Sequence, residues 1–336
     1  AGNTTTVTAN HAVGVDVVAP TIEITNEASG NATTSLAKVG DTITANFTST
    51  DPVTSVTIGG HAAQLTLVNA VTGTYTATYV VASGDNAIAT DVVVTSRDTA
   101  GNTTTQTLSG RVTVDTVAPT ATITLSDDAL RIGDTSTVTI TFSEAVSGFS
   151  LSDLTANNGT LSNLSSATVN ANGTVTYTAT FTPNSNIEDT TNVVSLTTGY
   201  TDTVGNTGTT AESANYTIDT LAPTATITVN TVTSDNVINQ SELAAGNVPV
   251  TGTVGGDVKV GDIVTLTING HTYVGGVTAN LAGELTYSID VLASDLVADE
   301  NVTASVATTD AAGNTTTVTA NHAVGVDVVA PTIEIT

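Results

Sequence analysis

The 336-residue chain has no cysteine, methionine or tryptophan, and aromatic residues make up only 3% of it. Without cysteine there can be no disulfide framework, no thiolate metal site and no cysteine nucleophile. So few aromatic side chains also mean that large aromatic rings cannot be the main source of stability. Any folded core must therefore be built mostly from smaller apolar and β-branched residues.

Positive charge is almost absent. Thirty-one acidic residues stand against five basic ones, which gives a formal net charge of −26. Binding to a phosphate backbone needs clustered lysine and arginine, so nucleic acid is excluded as a partner, and anionic membrane surfaces are disfavoured for the same reason. The five basic residues are Lys38, Arg97, Arg111, Arg131 and Lys259.

Long apolar runs and catalytic motifs are also missing. No run reaches the eighteen or so residues that a membrane helix needs, and no signal peptide is visible, so we predict no membrane insertion in this segment. There is neither an HExxH zinc motif nor a GxSxG nucleophile elbow. Acid pairs such as Glu188-Asp189 are better explained as solvated loop residues than as glycosidase carboxylates. The sequence predicts that the protein is not an enzyme.

Threonine, valine, alanine, asparagine and glycine dominate the chain, and the apolar pattern has a period of two. Alternation runs through TVTITFS at 137–143, TVTYTATF at 174–181 and VTLTI at 264–268. This pattern is typical of antiparallel strands with one buried face. Asn-Gly pairs, such as Asn158-Gly159 and Asn269-Gly270, are turn signals between such strands. Only residues 239–246 are predicted to form a helical turn.

The chain contains an internal repeat. Residues 1–25 and 312–336 are identical, which sets a period of 311 residues. Variants of VDTVAPT recur between these copies, and the spacings of their aspartates are 99, 104 and 108 residues. The chain therefore holds one unit of three non-identical modules plus an overlap, and we expect a longer parent protein with many copies. The four aspartates of this phrase are Asp16, Asp115, Asp219 and Asp327.

Two further phrases recur within the modules. DxxGN occurs at 98–102, 202–206 and 310–314, and a basic residue, an apolar residue and Gly-Asp occur at 38–41, 131–134 and 259–262. We predict three complete modules at 17–115, 116–219 and 220–327. Residues 1–16 are then the last strand of a preceding module, and residues 328–336 the first strand of a following one. About seven short strands per module favour tandem immunoglobulin-like antiparallel β-sandwiches in a linear, all-β array.

The VDTVAPT and DTAGN phrases, at this spacing and composition, closely resemble the bacterial Ig-like tandem repeats of giant type I-secreted RTX-type adhesins and biofilm-associated proteins. The resemblance covers the whole chain. It implies an extracellular spacer displayed on the bacterial cell surface, with calcium at the module junctions and a role in cell adhesion and biofilm formation. The implied partners are the neighbouring modules of the same chain and a host or biofilm surface.

The positions of the acidic residues are consistent with calcium. In such a sandwich the BC and FG loops lie at the entry end, and the AB loop and the end of strand G lie at the exit end. Acids from two successive modules should therefore meet at each junction, where they repel one another unless a cation lies among them. Oxygen ligands without histidine or cysteine favour Ca²⁺ over zinc. The predicted metal ligands are Asp16, Asp41, Asp51, Asp98, Asp115, Asp134, Glu144, Asp202, Asp219, Asp257, Asp310 and Asp327.

Several alternatives remain open at this stage. DTAGN is also a good tight turn, because its aspartate can cap the turn and its glycine can adopt a positive φ. A terminal strand at residues 1–16 without its module could pair with other copies of the chain, which would make the protein a self-assembling fibre or matrix subunit. One of the sandwiches could also bind a glycan or a protein through its loops.

Overall fold

In the computed structural model the described residues are 13–329 and Thr332, and β-strands form three successive sandwiches within them. Most of the predicted terminal strands at 1–16 and 328–336 lies outside the described residues, and residues 13–16, 328 and 329 belong to no strand. Neither of the two α-helices in the described part of the chain is long and apolar enough to cross a membrane.

The first sandwich has two four-stranded antiparallel sheets, with strand orders β1-β3-β7-β6 and β5-β4-β8-β9. A short parallel pair, β2 with β10, closes its exit end. The strands are β1 (Ile22–Ser29), β2 (Leu36–Ala37), β3 (Thr42–Ser49), β4 (Val53–Ile58), β5 (His61–Ala62), β6 (Gln64–Asn69), β7 (Thr74–Val80), β8 (Val92–Arg97), β9 (Thr103–Leu108) and β10 (Thr113–Val114).

The second sandwich is more broken up, because short strands pair in four separate sheets. The largest sheet has the order β11-β13-β18-β16, and β17 also pairs with β18. The elements are β11 (Ala121–Leu125), β12 (Ala129–Arg131), β13 (Ser136–Phe142), β14 (Val146–Ser147), a 3-10 turn (Leu151–Asp153), β15 (Leu154–Ala156), β16 (Gly159–Ser162), β17 (Thr168–Val169), β18 (Val175–Pro183), β19 (Glu188–Asn192), β20 (Val194–Leu196), β21 (Thr201–Asp202), β22 (Ala211–Glu212) and β23 (Tyr216–Asp219).

The third sandwich has the same layout as the first. Its two main sheets have the orders β24-β26-β30-β29 and β28-β27-β31-β32, and β25 pairs with β33 in parallel. The elements are β24 (Ala225–Ile227), β25 (Val237–Asn239), α1 (Gln240–Ala245), β26 (Asn247–Gly256), β27 (Ile263–Ile268), β28 (His271–Gly276), β29 (Thr278–Ala279), β30 (Leu285–Leu292), α2 (Ala293–Ala298), β31 (Asn301–Thr309), β32 (Thr315–Ala323) and β33 (Gly325–Asp327).

Each sandwich has its own hydrophobic core, and the alternating sequence pattern accounts for it. In β3 every second residue is buried, as expected for a strand with one face on the core. The few aromatic residues are unevenly placed, because six of the eleven lie in the second sandwich. There Phe142 packs edge-on against Phe149, Tyr177 and Tyr200 at ring-centroid distances of 4.9, 5.8 and 4.9 Å. Aromatic packing therefore matters locally in one module, although composition excludes it as the general source of stability.

Three details differ from the sequence predictions. The helical turn at 239–246 forms as α1, but a second helix, α2, also occurs between β30 and β31. The modules contain more strand segments than the seven predicted, because bends and bulges break several strands into short pieces. The phrase at 259–262 lies between β26 and β27 in the BC loop, whereas the phrases at 38–41 and 131–134 lie just before β3 and β13 in the AB connections.

Candidate functional site

The DxxGN phrase forms the FG loop, which joins the last two main strands of each sandwich, and its aspartate organises the loop. These strands are β8 and β9 in the first sandwich, β21 and β22 in the second, and β31 and β32 in the third. In the second sandwich Asp202 Oδ1 accepts hydrogen bonds from the backbone N–H groups of Val204, Gly205 and Asn206 at 2.8, 2.6 and 2.9 Å. Asp202 Oδ2 accepts a fourth bond from Asn206 Nδ2 at 2.7 Å. The glycine adopts a φ of +98°, which side chains disfavour. The tight-turn chemistry considered from sequence is therefore present.

The other two loops repeat this arrangement. Asp98 and Asp310 each accept, through Oδ1, the N–H groups of the glycine and asparagine that follow. The Asn102 side chain is the main cause that lowers the pKa of Asp98, assisted by the backbone N–H groups. Burial of Asp310 opposes ionisation, but hydrogen bonds from Asn314 and Gly313 outweigh it and lower its pKa. Asp98 and Asp310 are thus held as carboxylates.

The asparagine of each phrase joins two modules. Its Nδ2 donates to the backbone oxygen of the aspartate that precedes the module: Asn102 to Asp16 at 3.2 Å, Asn206 to Asp115 at 2.9 Å and Asn314 to Asp219 at 2.9 Å. Each of these aspartates also accepts, through Oδ1, the N–H group two residues later. The linker and the FG loop are therefore fixed to each other at all three junctions.

At the junction of the first and second sandwiches, three acids converge. Oxygen atoms of Asp115, Glu144 and Asp202 lie within 4.8 Å of one another, the only such group found among the described residues. They come from the end of the first sandwich, the BC loop of the second and the FG loop of the second, which are the three sources that sequence analysis predicts. Burial raises the pKa of Glu144, and the charges of Asp115 and Asp202 raise it further.

The other two junctions bring the predicted acids into the same region without so tight a group. Asp16, Asp51 and Asp98 belong to the first junction, where Asp51 Oδ2 accepts a bond from Thr50 Oγ1 at 2.8 Å. Asp219, Asp257 and Asp310 line a cleft of about 350 Å³ at the third, together with Glu188 and Lys259. Hydrogen bonds from the Thr224 backbone and side chain lower the pKa of Asp257. In these places some carboxylate oxygens are already committed to local hydrogen bonds.

Asp41 and Asp134, which lie in the AB connections, are placed differently from the three-acid group of Asp115, Glu144 and Asp202. Each accepts the backbone N–H of the basic residue three positions earlier, Lys38 at 2.9 Å and Arg131 at 3.2 Å. Asp41 also accepts a bond from Asn31 Nδ2 at 2.8 Å. Neither belongs to the three-acid group. Asp327 ends β33 and accepts the Val329 N–H at 3.4 Å.

The acidic group suits a hard cation. Among the described residues no hydrogen bond goes to the Glu144 carboxylate or to Asp115 Oδ2, so these oxygens are available as ligands. Asp202 Oδ2 has one bond and can accept another partner, because a carboxylate offers about four acceptor sites. Ca²⁺ takes six to eight oxygen ligands with flexible geometry, and backbone oxygens or water would complete them. The group has no nitrogen or sulfur donor of the kind that zinc prefers.

Sequence reasoning overlooked the basic residues. In the sequence, Lys38, Arg131 and Lys259 begin the phrases that end in Gly-Asp, and Arg97 directly precedes a DxxGN phrase. In the structure all four contact an FG loop or the end of the strand before it, and sequence analysis assigned them no such contact. Lys38 Nζ donates to the Gly205 oxygen of the next module at 2.7 Å. The only signal in the sequence is the basic residue that begins the phrases at 38–41 and 131–134.

Comparisons with known proteins agree with this architecture. Residues 115–218 match the family described as bacterial Ig-like domain, and residues 1–83 match the bacterial Ig-like domain of group 3. A search of the curated proteins found no match.

Among solved structures, the chain is similar to a Ca²⁺-stabilized adhesin that helps an Antarctic bacterium reach out and bind ice. The identity is 31%, with 94% of this chain and 76% of that chain covered and a TM-score of 0.54. An Ig-like domain of the M. primoryensis ice-binding adhesin is 50% identical over 32% of this chain and all of that domain, with a TM-score of 0.29. A structure concerned with host cell surface retention of a 1.5-MDa bacterial ice-binding adhesin is 28% identical, with 93% and 100% covered and a TM-score of 0.49.

Proposed function

Because the chain belongs to the tandem bacterial Ig-like domains of large adhesins, we propose that it is an extracellular spacer whose module junctions are stiffened by calcium. Its role is mechanical and not enzymatic, as in the rest of this family. The spacer would lie at the bacterial cell surface and hold a distal adhesive region away from it, in support of adhesion and biofilm formation. The proposed modules are residues 17–115, 116–219 and 220–327.

The observation that carries the proposal is the convergence of Asp115, Glu144 and Asp202 from two modules within 4.8 Å. These carboxylates repel one another: burial raises the pKa of Glu144, and the charges of Asp115 and Asp202 raise it further. A cation bound among them removes the repulsion and attracts both modules at once. The related adhesin of the Antarctic bacterium is Ca²⁺-stabilized, which supports calcium as that cation. The other predicted ligands at the remaining junctions belong to the same proposal.

The free energy involved is small but sufficient for this purpose. Extracellular calcium modules bind with dissociation constants of roughly 10⁻⁴ to 10⁻³ M. At calcium about tenfold above such a value, each occupied site stabilises the bound state by about 1.4 kcal/mol. A free energy of that size changes the ratio of straight to bent arrangements at a junction about tenfold. The sandwiches fold around their own cores, so calcium is needed for the joints more than for the modules.

Small-angle scattering tests this function directly. Strands of about ten residues at roughly 3.3 Å per residue give modules of roughly 35–40 Å, so a rod of three modules measures roughly 110 Å. We expect that maximum dimension in millimolar calcium. In EDTA we expect a smaller mean dimension and a wider range of shapes, because the junctions can bend. Circular dichroism should show unchanged strand content in both conditions. With enough salt present to screen repulsion between the modules, an equal maximum dimension with and without EDTA would contradict the calcium proposal.

A further inference from the structure

The basic residues lie at one recurring place in the structure. The three FG-loop glycines Gly101, Gly205 and Gly313 each face a cationic side chain, although the whole sequence has only five lysines and arginines. A Cβ atom on these glycines would lie 3.1 Å from Arg97 Nη2, 3.5 Å from Lys38 Nζ and 2.7 Å from Arg131 Nη1, respectively. Three of five cations at three equivalent backbone positions form a repeated structural feature.

At two of the three places the cation belongs to the preceding module. Lys38, in the AB connection of the first sandwich, donates through Nζ to the Gly205 oxygen of the second at 2.7 Å. Nearby, Asn31 Nδ2 donates to the Val204 oxygen at 3.0 Å. Both bonds join the first sandwich to the FG loop of the second.

The same arrangement occurs between the second and third sandwiches. Arg131 lies over Gly313, and its Nε is 3.5 Å from Asp134 Oδ2, which holds the guanidinium in place. The neighbouring Ile132 N–H donates to Asn314 Oδ1 at 2.9 Å. The cation is an arginine here and a lysine at the preceding junction, but the loop and the target glycine are equivalent.

The first FG loop obtains its cation differently. Arg97, which lies over Gly101, ends strand β8 of the same module and therefore bridges no junction. The third sandwich has no basic residue between β24 and β26, where α1 replaces the short AB loop. It therefore offers no equivalent contact to a module that would follow it.

We propose that the basic residue of the phrases at 38–41 and 131–134 is an interdomain latch. It binds the FG loop of the next module and narrows the range of orientations of the two sandwiches, independently of calcium, which stiffens the junction further. The aspartate of each phrase shapes the loop that presents the cation, which explains why the two residue types recur together. The latch acts at the same junctions as the proposed spacer function and rests on it for its biological role, but it does not use the three-acid group.

Pulsed EPR distance measurements on the full chain test the latch. Because the chain has no cysteine, spin labels can be placed at exposed threonines of successive modules, Thr66→Cys with Thr168→Cys and Thr168→Cys with Thr278→Cys. In EDTA, we expect Lys38→Met to broaden the first distance distribution and leave the second unchanged. Arg131→Met should broaden the second distribution and leave the first unchanged. Lys38→Arg keeps the positive charge, so its first distribution should be as narrow as that of the parent chain.

Arg111→Met is the matched control, because it removes one exposed positive charge that contacts no FG-loop glycine. If Lys38→Met leaves the first distribution unchanged in EDTA, or if Arg111→Met broadens it equally, the latch is contradicted. Lys38→Gln repeats the measurement with a polar side chain, and circular dichroism checks the fold of each variant. The parent chain, measured in calcium and in EDTA, reports on the calcium proposal separately, because both latch residues are intact in it.

Discussion

Asp202 shows how one side chain can shape a loop and still offer an oxygen to a ligand. Its Oδ1 accepts three backbone N–H groups, and its Oδ2 accepts only the side chain of Asn206. The interpretation of DxxGN as a turn and its interpretation as a ligand loop are therefore compatible, because they use different oxygens of the same carboxylate. Glu144 differs from Asp202, because no such hydrogen bonds offset its burial and its acidic neighbours.

Glu144→Gln should have opposite effects with and without calcium. In the calcium-free protein, burial and the charges of Asp115 and Asp202 raise the pKa of Glu144, so stability falls as pH rises through that value. The substitution removes this penalty and should raise the melting temperature of the second module in EDTA at pH 7. It should also abolish most of the increase of about 1.4 kcal/mol expected in calcium.

Thermal unfolding in EDTA and in millimolar calcium measures both effects. Glu212→Gln is the control, since Glu212 is an exposed acid of the same module outside the three-acid group. A calcium response that survives Glu144→Gln would remove Glu144 from the site.

Glu27 is a buried acid with an unsatisfied oxygen. The residue is 4% exposed; its Oε2 accepts the Arg111 N–H at 2.8 Å, and its Oε1 has no hydrogen-bond partner. Burial raises its pKa more than the Arg111 bond lowers it, so the first sandwich loses stability as pH rises through the pKa of Glu27. Glu27→Gln should stabilise that sandwich by about 1 kcal/mol at pH 7, near the lower end of the usual penalty for an unpaired buried polar group.

Hydrogen-exchange protection of β3, the strand that pairs with β1, reports on this change within the full chain. The stability gained through Glu27→Gln should shrink near pH 4, where Glu27 of the wild-type chain is protonated. Glu23→Gln on the same strand is the control, because Glu23 is exposed. An equal gain from both substitutions would mean that only the net charge matters.

At the scale of elements, a short phrase defines a turn but not its place in the fold. Lys38 and Lys259 begin the same four letters, and in both copies the backbone N–H of the lysine donates to the aspartate three positions later at 2.9 Å. Yet the first copy lies in an AB connection and the second in a BC loop. The third sandwich uses α1 in its AB connection, which displaces the phrase. Identical turns therefore contact different neighbours.

Helix α1 depends on its N-terminal cap. Asn239 Oδ1 accepts the N–H groups of Ser241 and Glu242 at 2.9 and 3.1 Å, and Glu242 Oε2 accepts the Asn239 N–H at 3.0 Å. Asn239→Ala leaves two helix N–H groups without this acceptor and should destabilise the third sandwich by about 1 kcal/mol. Asn239→Asp preserves the cap and should have little effect. Urea unfolding of the full chain compares the stability of the two variants, and amide hydrogen exchange in β26 and β30 reports on the third sandwich specifically.

At the scale of the whole molecule, the net charge of −26 is distributed over modules that each fold separately. Repulsion between modules extends a flexible chain at low salt even without a specific site. A rod stiffened by bound calcium must therefore be distinguished from a chain extended by charge alone. The two mechanisms respond differently to added salt, because screening weakens long-range repulsion but acts much less on a bound ion.

Magnesium and sodium chloride provide that distinction. Mg²⁺ requires near-octahedral geometry and loses water reluctantly, so at equal concentration it should stiffen the chain much less than Ca²⁺. Sodium chloride at about 0.5 M should shrink the EDTA-treated chain and leave the calcium-bound rod nearly unchanged. Small-angle scattering in calcium, in magnesium and in EDTA, with the calcium and EDTA samples repeated at that salt concentration, measures these differences. Equal extension by both divalent ions would indicate general charge neutralisation in place of a calcium site.

Much of this protein followed from sequence alone. The period of two predicted antiparallel sandwiches. The recurring phrases placed Asp115 and Asp202, and the loop after a predicted strand placed Glu144, at the same junction, where the structure brings them together. These predictions succeeded because strand alternation and tight-turn chemistry are local, and a repeated phrase reveals module spacing directly. The family of the chain was likewise identified from its phrases.

Other features required the tertiary structure. The helix α2, the use of Asp41 and Asp134 as loop caps, and the approach of Lys38 and Arg131 to the next FG loop were not visible in the sequence. The contacts of Lys38 and Arg131 with the next FG loop depend on how one module is oriented on another, which residues far apart in sequence decide together. The sequence by itself thus determined the modules and the acids between them. Only the tertiary structure decided which carboxylate oxygens remain free of hydrogen bonds and that Lys38 and Arg131 reach the next module, because both depend on distances between atoms that the spacing of the phrases does not fix.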